Sequence, residues 1–405
     1  MIWRNPSFRW LILGRGVSLL GNAVAPIALA FAVIDLTGSA TDLGLVVGAR
    51  SLANVLFLLI GGVVADRVPR KLVLIGSMST AALSQAAVTA LVFTGTAHIG
   101  TLMALSAVNG TAAAFSMPAT AALLGQVMPP EERQRGNAIN SFTRNGALII
   151  GAGLGGVLVA TLGPAVGLAV DSASFALAAI FFSRVPKTAA ADSQKQSPFA
   201  DLREGWRELA THTWLWAVVL GFGVLNAVFA GVFQVLGPVV ADAGIGRRAW
   251  GFVLAAQTTG MVLGAVVAMR LRLSRPLFVG VLCMFAQIPM MLLLARGASA
   301  PVLIAAALFS GFGVEQFGIA WEVSMQTHVP ADKLARVYSW DMLGSFIAIP
   351  LGTMLAGPAA ARFGVGPAIV GGAALMTATI GLIVAARSVR SLPGPHLVLS
   401  PESAP

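Results

Sequence analysis

Long apolar stretches alternate with short polar breaks along nearly the whole chain. A run of about 20 apolar residues crosses the hydrocarbon of a bilayer as a helix. Such runs lie near 9–34, 42–64, 72–94, 98–122, 136–161 and 164–184, and again near 213–240, 249–270, 276–295, 300–327, 335–360 and 365–387. The pattern predicts an all-α integral membrane protein with twelve transmembrane helices, embedded in a lipid bilayer. One longer polar interval divides them, so the expected units are a six-helix bundle over 1–184, a linker over 185–212, a second bundle over 213–387 and a disordered tail over 388–405. Within the linker, Phe199, Leu202, Trp206 and Leu209 fall at helical spacing, as a short amphipathic helix on the membrane surface would place them.

Composition agrees with this reading. The chain of 405 residues is 57% hydrophobic and only 10% charged, with a mean hydropathy of +0.84. Its net charge of +10 comes from bases scattered among short loops, a topological bias rather than a surface for nucleic acid. Nineteen Lys and Arg fall on the side that carries both termini and four on the other side. The positive-inside rule then puts both termini in the cytoplasm. Residues 1–9 are short and polar and the first apolar run outlasts a signal peptide, so no cleavable signal is expected. Cys283 is the single cysteine, which excludes an intrachain disulfide and a cysteine-based metal cluster. The four histidines show no ligand spacing, and no metal, cofactor or enzymatic nucleophile is expected. A composition heavy in Ala, Gly and Arg points to a GC-rich bacterial source and a cytoplasmic membrane.

The halves repeat. A shift of 201 positions puts Gly110 on Gly311, Pro129 on Pro330, Arg135 on Arg336, Gly151 on Gly352, Gly156 on Gly357 and Gly163 on Gly364. Parallel six-helix repeats imply a pseudo-twofold axis along the membrane normal, a central substrate site and rocking of one half against the other. That arrangement favours transport over a channel or an anchor.

The segment Gly62-Val63-Val64-Ala65-Asp66-Arg67-Val68-Pro69-Arg70-Lys71 packs an acid and three bases into six residues between two apolar runs. It resembles the signature loop of the major facilitator superfamily, with Pro69 where the family usually has Gly. Further likeness lies in Phe8-Arg9-Trp10-Leu11, Gly14-Arg15 and Ser18-Leu19-Leu20-Gly21. It continues in Gly110, Phe115, Pro118-Ala119, Pro129-Pro130-Glu131-Glu132-Arg133 and Asn137-Ala138, and is greatest to the branch of macrolide-efflux and enterobactin-exporter proteins. The resemblance implies a major facilitator fold of two pseudo-symmetric six-helix bundles and export by proton antiport. For the loop it implies gating by Gly62, Asp66, Arg67, Arg70 and Lys71, with Asp66 held at the start of the eleventh helix. A structural reading of the loop, topology plus a helix cap, stands beside it. Two departures bear on coupling: Ser106 stands where the family often has an Arg, and Gly151 to Gly156 only approximates the antiporter motif.

No Lys follows a Gly, so the phosphate-binding loop of an ATPase is absent and an ion gradient, the proton's above all, is the expected energy source. A proton carrier must then be a titratable group at membrane depth. The candidates are Glu315 and Glu322, seven positions apart on one face of the tenth span, together with Asp171 in the sixth and Arg15 in the first. Arg15 is expected to face Glu322, with Glu315 deeper as the carrier; a permanent ion-pair role for either glutamate is the alternative. Asp341 is assigned to a helix end or a gate, and Asp35, at the outer end of the first span, to solvent. Arg50 and Arg144 need partners that the sequence does not reveal. Asn22, Asn109, Asn226, Gln234, Gln257 and Trp321 are the candidates for lining a mostly apolar substrate cavity.

The expected function is export of a small amphipathic organic compound, a drug, antibiotic or siderophore, in exchange for protons by a monomer. An importer of the same fold and a transport-inactive sensor or assembly protein are the alternatives.

Overall fold

The computed structural model describes residues 5–128, 132–186, 206–207, 209–271, 273–330 and 333–395. Among them, twelve helices are long and apolar enough to cross a membrane. They are α1 Pro6–Thr37, α2 Ala40–Arg67, α3 Arg70–Thr94, α4 Ile99–Val127, α5 Arg133–Leu162, α6 Pro164–Ser183, α7 Thr213–Ala243, α8 Arg247–Ala268, α9 Pro276–Ala295, α10 Ala300–His328, α11 Arg336–Phe363 and α12 Val365–Ala385. Three are locally irregular: α7 widens to a π-helix over Gly231–Leu236, α9 tightens to a 3₁₀ turn over Met284–Ala286, and α11 loosens at 347–348.

Helix ends are set by local chemistry. Asn5 caps α1, its Oδ1 accepting from the backbone N–H of Ser7 and Phe8, while its Nδ2 donates to the carbonyl of Val127 at 2.8 Å and ties α1 to the end of α4. Ser39 caps α2 by accepting from the N–H of Asp42. Gly163 and Gly364 each form the single-residue joint between two helices, α5 to α6 and α11 to α12, with φ of 84° and 90°. Only glycine enters that region freely, so the same joint recurs 201 positions on.

The twofold character extends to packing. Gly110 of α4 lies against the backbone of Arg50 in α2, and Gly311 of α10 against the backbone of Gln257 in α8. Gly151 of α5 meets the Leu20 carbonyl of α1, as Gly352 of α11 meets that of Ala227 in α7. In lipid, helices associate through close van der Waals contact, and small residues permit it. Helices α1–α6 thus form one bundle and α7–α12 a second of the same design.

The contacts between bundles lie in the half of the molecule away from both termini, here the far side. Gly44 and Gly48 of α2 pack on Thr353 and Met354 of α11, Gly357 on Thr41, and Gly156 of α5 on Gly251 of α8. On the terminus side, the helical stretch Leu334–Phe346, which leads into and forms the first half of α11, packs on α7 of its own bundle. There Phe142, Phe346 and Ile347 are exposed, as are the charged Arg144 and Glu322. At this depth a bilayer requires charged side chains to meet water or a partner rather than hydrocarbon.

Of the expectations about the chain's punctuation, one changes and one lies mostly beyond what is described. Most of the expected surface helix lies outside the described residues; 206, 207 and 209–211 are helical, and the Trp206 ring lies 5.0 Å from that of Trp340. The tail does not loosen at 388: Arg387–Arg390 is a helical turn, Gly394 N–H donates to Ser274 O at 2.8 Å, and the Pro393 carbonyl lies 2.9 Å from His328 Nε2. Residues 396–405 lie outside the described set.

Candidate functional site

Polar residues at membrane depth fall into three groups. The first is in the middle of the N-terminal bundle. Arg50 of α2 donates through Nη2 to Asn22 Oδ1 of α1 at 2.8 Å and interacts electrostatically with Asp171 of α6. Asp171 is 1% exposed, and its Oδ1 has no hydrogen-bond partner. Room for it comes from Gly21, where a Cβ would stand 3.0 Å from that oxygen. Asn109 of α4 is 5% exposed, with Nδ2 unpaired. A cavity of about 340 Å³ opens beside this group, its polar lining including Arg15, Ser18, Asn22, Arg50, Asn109 and Thr120. Buried charge in lipid demands compensation, and Asp171 is the compensation for Arg50 that the sequence left open.

The second group joins the bundles. Half-buried Glu315 of α10 has Arg144 of α5, in the other bundle, as its charged neighbour. Arg15 also has Arg144 as its charged neighbour, a like charge. The expected pair of Arg15 with Glu322 is therefore not formed. Instead Glu322 Oε1 accepts from Tyr338 Oη at 2.7 Å and Gln326 Nε2 at 2.6 Å, within the C-terminal bundle. The two glutamates share a face, but the one nearer the terminus side is taken by the tyrosine of α11.

The third group is the core of the C-terminal bundle. Trp321 Nε1 donates to Asp341 Oδ2 at 3.0 Å, and Ser345 Oγ to Asp341 Oδ1 at 3.1 Å. Asp341 is thus an internal partner rather than a helix end. Trp321 is buried, with its ring 5.7 Å from Trp214 and 6.2 Å from Phe317, which stacks on Phe222. It packs the bundle rather than lining a cavity. Asn226 is committed to the carbonyl of Ser345 at 2.9 Å. Gln234 is exposed on the π-helical turn, and half-buried Gln257 lies behind Gly311 through its backbone. Of the six cavity candidates, Asn22 and Asn109 line the cavity of the N-terminal bundle.

The signature segment is largely helical rather than a loop. Gly62 and Arg67 lie within α2, leaving only Val68 and Pro69 before α3. Arg70 Nη1 donates to Ala122 O at 3.3 Å and Lys71 Nζ donates to Val185 O, so both bases stitch α3 into its own bundle. The Asp66 side chain lies outside what is described. The contact of α2 with α11 falls at Gly44 and Gly48, on the far side, rather than at the start of α11.

Asp35 is exposed at the outer end of α1, as expected, and it also has a partner there: Arg247 of α8 binds it with both terminal nitrogens, Nη1 to Oδ2 at 2.9 Å and Nη2 to Oδ1. Arg247 Nε also donates to Asp242 at 2.8 Å, and the guanidinium sits 4.8 Å from the Phe31 ring centre. No sequence signal announced this pair, because its members lie 212 positions apart.

The family model described as Major Facilitator Superfamily matches residues 11–353. The chain belongs to that superfamily. Among superfamily relatives, it is 24% identical over 382 residues to the enterobactin exporter EntS of Escherichia coli O1:K1 / APEC, covering 91% of this chain and 90% of the relative. To the enterobactin exporter EntS of Salmonella typhimurium strain LT2 it is also 24% identical over 382 residues, covering 91% of each. Two solved superfamily-like structures share the fold. The nucleoside transporter NupG has a TM-score of 0.72 at 14% identity, covering 94% of this chain and 98% of that one. A bacterial homolog of the human lysosomal transporter Spinster has a TM-score of 0.70 at 17% identity, covering 96% of each.

Proposed function

We propose that this superfamily member is a secondary active exporter of a small amphipathic organic compound, working by alternating access and exchanging substrate for protons across a bacterial cytoplasmic membrane. The excess of Lys and Arg on the terminus side makes that side, and both termini, cytoplasmic. Similarity to the enterobactin exporters over nine-tenths of the chain supports the outward direction.

The observation that carries the reading is that Glu315 of α10 and Arg144 of α5, opposite charges on different bundles, are electrostatic neighbours. Closing that side draws the two together, so ionised Glu315 favours closure and the outward passage of substrate. A proton taken up from the far side cancels the attraction, and the terminus side reopens with the proton aboard. The gradient thus drives an outward cycle. Asp171 has the other role, as the fixed counter-charge of Arg50. In this scheme Asp66 engages the start of α11 only once the terminus side has closed, where helix N–H groups attract an anion.

The test is accumulation of a panel of drugs and siderophores by cells lacking their own pumps, with and without this protein and a protonophore. Lower accumulation that the protonophore reverses is expected. Raised accumulation, as an importer would give, or no change with any compound, as a sensor would give, contradicts the proposal.

A further inference from the structure

The cavity of the N-terminal bundle is lined by two guanidiniums, two amides and three hydroxyls, and Ser18, Ser116 and Thr120 give their protons to backbone carbonyls of their own helices. Arg15 and Arg50 both line it, and no Asp or Glu appears in its lining among the described residues. The Asn22 carbonyl oxygen is engaged by Arg50, leaving its amide N–H groups to face a ligand. Asn109 is nine-tenths buried and its Nδ2 has no partner. Arg50 has Asp171 as its counter-charge, but Arg15 pairs with no carboxylate among the described residues and has Arg144 for its charged neighbour. The remaining wall is apolar, with Met78, Met117, Phe175 and Phe182 beside these donors. A guanidinium at membrane depth without an anion is costly, and its planar fork is suited to a carboxylate or a similar oxyanion.

We propose that this cavity is the substrate's headgroup site and that it takes an organic anion, with the oxyanion on Arg15 and Asn109 and an apolar body on the Phe175–Phe182 wall. The assignment rests on the exporter reading and narrows its substrate class. Arg15 and Arg144 repel each other, so a bound anion would add to the closure that ionised Glu315 favours. The volume of about 340 Å³ is within the range of small-molecule sites.

The experiment measures equilibrium binding of three matched probes, 2-naphthylacetate, 2-naphthylacetamide and 2-naphthylethylamine, to the full chain in phosphatidylcholine nanodiscs. The carboxylate is expected to bind at least about ten-fold more tightly than the amide or the amine, a difference that one charge-assisted contact supplies. Arg15→Gln should bring the carboxylate down to the level of the amide, and Arg15→Lys should keep most of its affinity, which holds the test open should the first variant fold poorly. Equal binding of the three probes, preference for the amine, absence of carboxylate binding, or full affinity in Arg15→Gln overturns the proposal. So does loss of carboxylate binding when phosphatidylglycerol is added to the nanodisc, since a lipid headgroup would then own the site. Binding needs no gradient, so a carboxylate that binds but is never exported fails the exporter reading while leaving the site intact.

Discussion

Arg247 of α8 grips Asp35 at the end of α1 with both terminal nitrogens, so the first helix of one bundle and the second helix of the other are clasped at the far side. Both residues are partly exposed, with side-chain exposures of 23% and 42%, so the pair is worth about 1 kcal/mol. That is enough to shift a balance between two closely matched states by about five-fold.

Arg247→Gln should therefore loosen the far side without unfolding the protein. Thr353 is 0% exposed, and its carbonyl lies against Gly44 of α2. With Thr353→Cys in a Cys283→Ser background, an impermeant maleimide should label up to about five-fold faster when Arg247→Gln is added. An unchanged rate would mean that the pair does not hold the gate.

Glu315 and Asp171 should respond differently to neutral isosteres. Glu315→Gln is expected to lose transport driven by a pH gradient, by about ten-fold or more, while its thermal unfolding stays near wild type. Asp171→Asn strips Arg50 of its buried counter-charge and should cost about 3 kcal/mol of stability. Gradient-driven transport and thermal melting, measured on both variants, check the division. A melting loss confined to Glu315→Gln would reverse it.

The twofold packing predicts equal sensitivity at equivalent glycines. A methyl group at Gly110 or Gly311 collides with the backbone of Arg50 or Gln257, whereas one at Gly76 meets open space. Gly110→Ala and Gly311→Ala should each destabilise by about 1–3 kcal/mol, and Gly76→Ala should not. Melting in detergent distinguishes the three.

Trp321 should prove structural. Trp321→Phe removes the donor to Asp341 and should lower stability by about 2 kcal/mol while leaving the affinity for an exported compound unchanged. A change in affinity at constant stability would return this residue to the cavity lining.

The fold was legible because hydrocarbon thickness fixes how long an apolar run must be, and the recurrence of Gly110 and Gly151 at Gly311 and Gly352 records close helix crossings directly. Depth along a span was legible too, which is why Glu315, Asn22, Asn109 and Arg15 were singled out. Rotation and tilt were not. Glu322 lies at a depth where Arg15 was a reasonable partner, yet Tyr338 from α11 reaches it first. Trp321 illustrates the same limit, because an aromatic turned into a bundle and one turned into a cleft occupy identical positions in a helical pattern. Asp35 was rightly placed at an exposed helix end, but that position says nothing of what the other bundle brings across it.

Distances between spin labels give the most direct test of alternating access with Glu315 as its switch. One pair, Thr37→Cys with Ala243→Cys, spans the far side, and another, Val68→Cys with Pro330→Cys, spans the terminus side, both in a Cys283→Ser background. As pH rises through the titration of Glu315, the terminus-side distance should shorten while the far-side distance lengthens, and Glu315→Gln should hold both at their low-pH values. Two distances that stay fixed or change in the same direction, or a Glu315→Gln variant that follows the wild type, would contradict the account.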